Sequence, residues 1–237
     1  MDLVRTLKPS EEKGKDAMSR VLQAFSKYDN TIGYVQGMNH IVDALMQHSR
    51  EEVAFWLFVT LIEDFEMRDI YQPGLHGVYK HNSTLEALIK EHMPKLFEHL
   101  ERAGVMPEMF ASGWLLTLYF NSIPLSVSDK FLTNFFEDGW AFYYRFTITY
   151  LKALESKILS YDETENGEIL ELIKTPKKAA QDVDTSVSLI SSIGRFFAFT
   201  REVDSCVETL GCSLDAFKDG TAWLKVIEAS EKLKDKI

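Results

Sequence analysis

Apolar residues recur along most of this chain at spacings of three and four, the period of one helical face, and no alternating strand pattern stands out. Val21, Leu22 and Phe25 mark a first helix ending near Tyr28, with Ser10 expected as its N-cap ahead of Glu11 and Glu12. A turn at Asp29, Asn30 and Thr31 follows. Ile41, Val42, Leu45 and Met46 predict a second helix running to about Gln47, and Ser49 is the expected cap of a third that carries Val53, Phe55, Trp56, Val59, Leu61 and Ile62. Pro73, Gly74 and Gly77 break the pattern, so residues 69–77 read as an ordered loop.

Leu85, Leu88, Ile89, Leu96 and Leu100 predict one or two helices interrupted by Pro94. Pro107 suits the first helical position of a segment ending near Phe120, and Pro124 starts another that ends at Gly139. Residues 140–158 are rich in aromatic and β-branched side chains, yet a length of more than about four turns favours helix over strand. A polar loop at 161–167 and a break at 175–184 precede helices expected over 186–210 and 215–234. Internal repeats and low-complexity tracts are not evident. The expected fold class is all-α.

With 237 residues, 46% of them hydrophobic, the chain can bury a sizeable core in one large domain or two small lobes. A formal net charge of -10 makes nucleic acid a poor partner, because phosphate binding rests on Lys and Arg, and suits a protein partner better. Cys206 and Cys212 lie in a helical tail without a neighbouring His, which points to reduced cytosolic thiols rather than a zinc site or a disulfide. The charged N-terminus has no apolar h-region, so no signal peptide is read there. Residues 109–128 are uncharged, but Gly113, Asn121 and Pro124 interrupt them, and the dense run at 114–120 is far short of the roughly 20 residues of a membrane span.

The stretch richest in candidate chemistry is Gly33-Tyr34-Val35-Gln36-Gly37-Met38, where two glycines bracket one Gln just ahead of a helix. At a helix N-terminus the unpaired N–H groups favour negative charge, so the Gln36 carboxamide is placed to act beside a phosphate. Spacing alone favours the plainer reading, a turn into a core helix. No Gly-x-x-x-x-Gly-Lys-Ser/Thr loop occurs, so the usual phosphate-loop route to a nucleotide is not expected. His92 and His99 match no common zinc spacing and are expected on a solvated surface, and no metal site is predicted. Phe135, Phe136, Trp140, Phe142, Tyr143, Tyr144 and Phe146 lack interleaved positive charge apart from Arg145 and are expected in the core. Glu137 and Asp138, adjacent on a helix, point apart and make no acid–base pair. No Ser-His-Asp or Cys-His arrangement can be identified.

Asp2-Leu3-Val4-Arg5-Thr6, followed by a helix and then Tyr34-Val35-Gln36-Gly37-Met38-Asn39, resembles the TBC domain, the helical module of GTPase-activating proteins for Rab-type GTPases. The likeness continues through the residues from Glu51 to Trp56, Tyr71 to Leu75, Phe110 to Phe120 and Phe135 to Gly139, and it thins after about Leu172. It implies a multi-helix fold of two lobes and a single TBC domain over residues 1–237. It also implies stimulation in trans of GTP hydrolysis by a Rab-family GTPase in its GTP-bound form, the partner supplying GTP and Mg²⁺. In that scheme Arg5 is the arginine finger and Gln36 the glutamine finger, while Asp2 steadies the finger loop. Thr6, Tyr34, Gly37 and Asn39 hold the loops or touch the partner. For Tyr34 a core position with a satisfied hydroxyl is an equal alternative.

The resemblance further implies a cytoplasmic regulator of membrane trafficking, recruited peripherally to endomembranes. Two departures stand out. Relatives carry an Arg and a Trp on an early helix before the arginine motif, whereas Met1 directly precedes Asp2, so that first helix is expected to be lacking. Phe131-Leu132-Thr133 stands where the family commonly has Ile-Trp-Asp. A catalytically silent adaptor that binds a GTPase or another protein is the competing reading, and a purely structural scaffold is a third.

Overall fold

The computed structural model describes residues 12–123 and 128–174. Among them every regular element is a helix: α1 Glu12–Tyr28, α2 Met38–Met46, α3 Glu51–Glu63, α4 Arg68–Tyr71, α5 His76–His92, α6 Pro94–Arg102, α7 Glu108–Thr117, α8 Ser128–Ile158 and α9 Asn166–Lys174. The chain divides into two compact units, one within Met1–Ser83 and Ala111–Asp129, the other within Thr84–Phe110 and Lys130–Ile237.

In the first unit α1, α2 and α3 pack against one another. Met18, Val21, Leu22 and Phe25 recur at helical spacing and are all buried, and the Phe25 ring meets Phe58 of α3 edge-on at 4.8 Å. From α2 the core takes Ile41, Val42 and Leu45, and from α3 it takes Ala54, Phe58, Leu61 and Ile62. Because α3 is apolar on nearly every side, its sequence does not reveal which stripe faces inward. Val53 and Trp56, two of its apolar residues, are 51% and 58% exposed, and Trp56 packs edge-on against Tyr28 and Phe55. Ser49 does not cap α3 either. Its hydroxyl donates to the Leu45 carbonyl at the end of α2, and Arg50, in extended conformation, takes the N-cap position. The single turn α4 runs into the expected loop at 69–77, and α5 begins within it at His76.

Pro107 stands one residue before α7, which stops at Thr117, earlier than expected, because Leu118 and Tyr119 adopt positive φ of 44° and 66°. Stacking of Tyr119 on Trp114 at 4.7 Å, both rings buried, accompanies that bend.

In the second unit Pro94 opens α6 at its first position, as its missing N–H allows. Leu96, His99, Leu100 and Ala103 share one buried stripe. His99 is therefore not on a solvated surface: helical period places it among leucines, and its Nε2 has no hydrogen-bond partner. The helix α8 is broken at Gly139 (φ 57°, ψ -134°), where the glycine was read as a helix end. Asp138 at this break pairs with the buried Arg145 one segment on, so its carboxylate is held by an ion pair. Around the break Phe131, Phe135, Phe142 and Phe146 are buried and interlock, with Phe131 about 5.1 Å from both Phe142 and Phe146. Of the departure at 131–133, Phe131 and Leu132 are core and Thr133 is exposed. Ile169, Leu172 and Ile173 anchor α9, and the Tyr150 hydroxyl donates to the Ile173 carbonyl in its last turn. Ser10, Cys206, Cys212 and the segments 175–184, 186–210 and 215–234 lie outside the described residues.

Candidate functional site

The segment from Asp29 to Gly37 joins α1 to α2 and carries Gln36 one residue before the N-cap. Its first half is organised by one buried carboxylate. Asp29 Oδ1 accepts from the Thr31 N–H at 3.0 Å, the Thr31 hydroxyl at 2.6 Å and the Ile32 N–H at 3.2 Å, which closes the turn, and the Gly33 N–H donates to the Asp29 carbonyl at 2.9 Å. The second carboxylate oxygen lies 2.6 Å from Nη2 of Arg68, the first residue of α4. Arg68 also pairs with Glu63 at the end of α3 and reaches the Thr31 hydroxyl through Nη1 at 3.4 Å. Burial works against the charge on Asp29, but the bonds from Thr31 and Arg68 and the Ile32 and Thr31 N–H groups outweigh it, and its pKa is lowered to about 2.

The second half is set by close backbone approach. Gly37 is the N-cap of α2, with φ of 109°, and a Cβ there would lie 2.6 Å from the Leu116 carbonyl oxygen. That carbonyl is left over at the C-terminal end of α7, and it accepts from the Tyr71 hydroxyl at 2.8 Å. Burial pushes the Tyr71 phenol far above its ordinary range, which keeps it a donor. Between these fixed ends, the Val35 N–H donates to Met38 Sδ at 3.3 Å, and Met38 is fully buried. Gln36 itself is exposed. The first turn of α2 carries no acidic side chain, so the positive end of its dipole is uncompensated there. Burial holds the His40 ring below its ordinary pKa, so it is neutral near pH 7.

Tyr34 is 41% exposed, not in the core, and its hydroxyl donates to Oδ1 of the buried Asn39 at 3.3 Å. The two motif positions therefore brace each other across the loop. With Ser19, Leu22, Gln23, Ser26 and Lys27 of α1, Tyr34 lines an open groove of about 370 Å³. The structure thus brings together Tyr34, Gln36, Gly37 and Asn39, while Asp2, Arg5 and Thr6 lie outside the described residues. Sequence reasoning missed Arg68, Tyr71 and the Leu116 carbonyl, all distant along the chain. Among the described residues no three His, Cys, Asp or Glu side chains are grouped to hold a metal ion.

Residues 1–159 match the family model described as the Rab-GTPase-TBC domain. The chain belongs to the Rab-GTPase-TBC domain family. It is similar to a Caenorhabditis elegans protein named Rab GTPase-activating protein eat-17, with 31% identity over 151 residues, 64% of this chain and 17% of that protein. It is also similar to the human ecotropic viral integration site 5 protein homolog, with 28% identity over 167 residues, 68% of this chain and 21% of that protein. The chain spans about a fifth of the length of these curated relatives. A crystal structure of the Chlamydomonas flagellar RabGAP TBC domain is 31% identical with a TM-score of 0.59, covering 70% of this chain and 55% of that one. TBC membership accounts for the all-α architecture.

Proposed function

We propose that this TBC chain, as a single domain over residues 1–237, accelerates GTP hydrolysis by a Rab-type GTPase in its GTP-bound form. It acts in trans, with GTP and Mg²⁺ belonging to the partner. The observation that carries this reading is the exposed Gln36, held between two anchored loop ends at the start of α2. A small GTPase hydrolyses slowly because the attacking water is poorly held and charge on the transferring phosphoryl is incompletely neutralised. The Gln36 carbonyl would accept from that water while its N–H₂ donates to the γ-phosphate. Arg5 would supply the guanidinium that meets the developing charge, steadied by Asp2 and Thr6. An arginine finger is worth about 10³- to 10⁵-fold in rate, roughly 4 to 7 kcal/mol. The name carried by the Caenorhabditis elegans relative supports the same partner class. Among the described residues no helix is long and apolar enough to cross a membrane, and in this proposal action on trafficking membranes follows from peripheral recruitment to endomembranes in the cytoplasm.

The test is single-turnover GTP hydrolysis across a panel of Rab-type GTPases, with wild type, Arg5→Ala and Gln36→Ala. At least one GTPase should respond, and each substitution should remove about 10²-fold or more of the stimulation while the melting temperature stays put. Stimulation at wild-type level by a variant eliminates the role given to that residue. GTPase binding without stimulation by wild type would replace the activator with an adaptor.

A further inference from the structure

The four residues of α4 carry two side chains, three apart and hence on one face, that reach the two ends of the Gln36 loop by different routes. Arg68 holds the entry: it meets Asp29 Oδ2 at 2.6 Å and the Thr31 hydroxyl at 3.4 Å. Tyr71 holds the exit: it fixes the Leu116 carbonyl at 2.8 Å, the same oxygen on which Gly37 rests without room for a Cβ. We propose that α4 is a two-point clamp on the loop, with Arg68 and Tyr71 as positioning residues for Gln36. This rests on the catalytic role proposed above for that glutamine.

Gln36 makes its contribution only if its carboxamide stands at a fixed place when the partner arrives, and an error of about 1 Å in such a group can cost on the order of 10²-fold in rate. Its own side chain is exposed, so its placement must come from its backbone. That backbone is pinned by Asp29 four residues after the end of the α1 core face and by Gly37 immediately after Gln36, and both pins lead to α4. Tyr71 is 3% exposed and cannot touch a docked protein, so any effect of its hydroxyl on rate is indirect, through the Leu116 carbonyl and the Gly37 backbone packed on it.

The decisive variant is Tyr71→Phe, which keeps the ring in its buried site and deletes only the donor; Arg68→Ala tests the other end. Hydrogen exchange of residues 29–37 in the full chain, and hydrolysis by the most responsive Rab-type GTPase, are measured in wild-type and Gln36→Ala backgrounds. Each variant should speed exchange in the loop and lower the maximal stimulated rate, both by about 10-fold. The half-saturating concentration should stay within about twofold for Tyr71→Phe, and neither variant should lower the rate further once Gln36 is Ala. Unchanged exchange overturns the clamp. So does an equal fold-loss in the Gln36→Ala background, or faster exchange without any loss of rate. If no GTPase responds, or Gln36→Ala matches wild type, it is the functional reading that fails. Exchange alone then decides, with faster exchange upholding α4 as a clamp on the loop and unchanged exchange overturning it.

Discussion

The aromatic core around the break in α8 and the loop from Asp29 to Gly37 are held in opposite ways. At the break, Phe131, Phe135, Phe142 and Phe146 are each buried against several others, so position is set by many weak, non-directional contacts. In the loop, a handful of directed bonds to Asp29, Thr31 and the Leu116 carbonyl does the holding, and Gln36, next to its end, is exposed. Removing one core ring leaves a cavity among surviving neighbours. Removing one loop bond leaves a buried polar group without its partner and frees the segment that carries the chemistry. A core of the first kind tolerates variation of type but not of volume; a loop of the second kind tolerates change of volume poorly at Gly37 and change of charge poorly at Asp29.

The largest stability effect should come from Phe131→Ala, at about 3 to 5 kcal/mol, because the ring is wholly buried at the centre of its cluster. Urea unfolding followed by circular dichroism measures it, and a loss below about 1 kcal/mol would mean that the cluster collapses into the space. Next comes Gly37→Ala, at about 2 to 3 kcal/mol, combining the unfavourable φ with the 2.6 Å approach to a backbone carbonyl that cannot rotate away. This change should also cost stimulation of a responsive GTPase more than its stability loss explains. Parallel losses in Phe131→Ala and Gly37→Ala, at temperatures where both remain folded, would erase the contrast between the two regions.

The third effect is set by pH. Asp29 has a folded pKa near 2 against an ordinary value of 3.8, so its ionised form is favoured by folding. Its contribution, about 2 kcal/mol, is complete above about pH 4 and is lost as pH falls from there towards 2. Asp29→Asn should flatten that part of the stability-against-pH curve. An unchanged acid limb would assign acid sensitivity to other carboxylates.

Much of the helical architecture was legible in the sequence, because helix existence depends on local period and on Pro and Gly punctuation. The stripe of Val21, Leu22 and Phe25, the opening of α6 at Pro94 and the break at Gly139 follow from residues within a turn or two of each other. Details that the period left open or misplaced had a common origin. Trp56 lies on a helix apolar on most sides, so only packing against α1 and α2 chooses which face is buried. For His99 the lack of a zinc spacing pointed to a solvated surface, whereas its place on the Leu96 and Leu100 stripe decided its burial. Ser49 had a hydroxyl that could bond either forwards or backwards, and in the fold it donates back to the Leu45 carbonyl.

For the site the division is sharper. Motif order alone identified the TBC family and singled out Gln36, Gly37, Tyr34 and Asn39, because those residues are neighbours in the chain and their types carry the signal. That Gly37 must be glycine because of Leu116, that Leu116 is held by Tyr71, and that Asp29 answers to Arg68 were decided by tertiary structure. A local pattern encodes what a segment can form. Which distant carbonyl or guanidinium it meets depends on how the helices fold back, and no spacing along the chain records that distance.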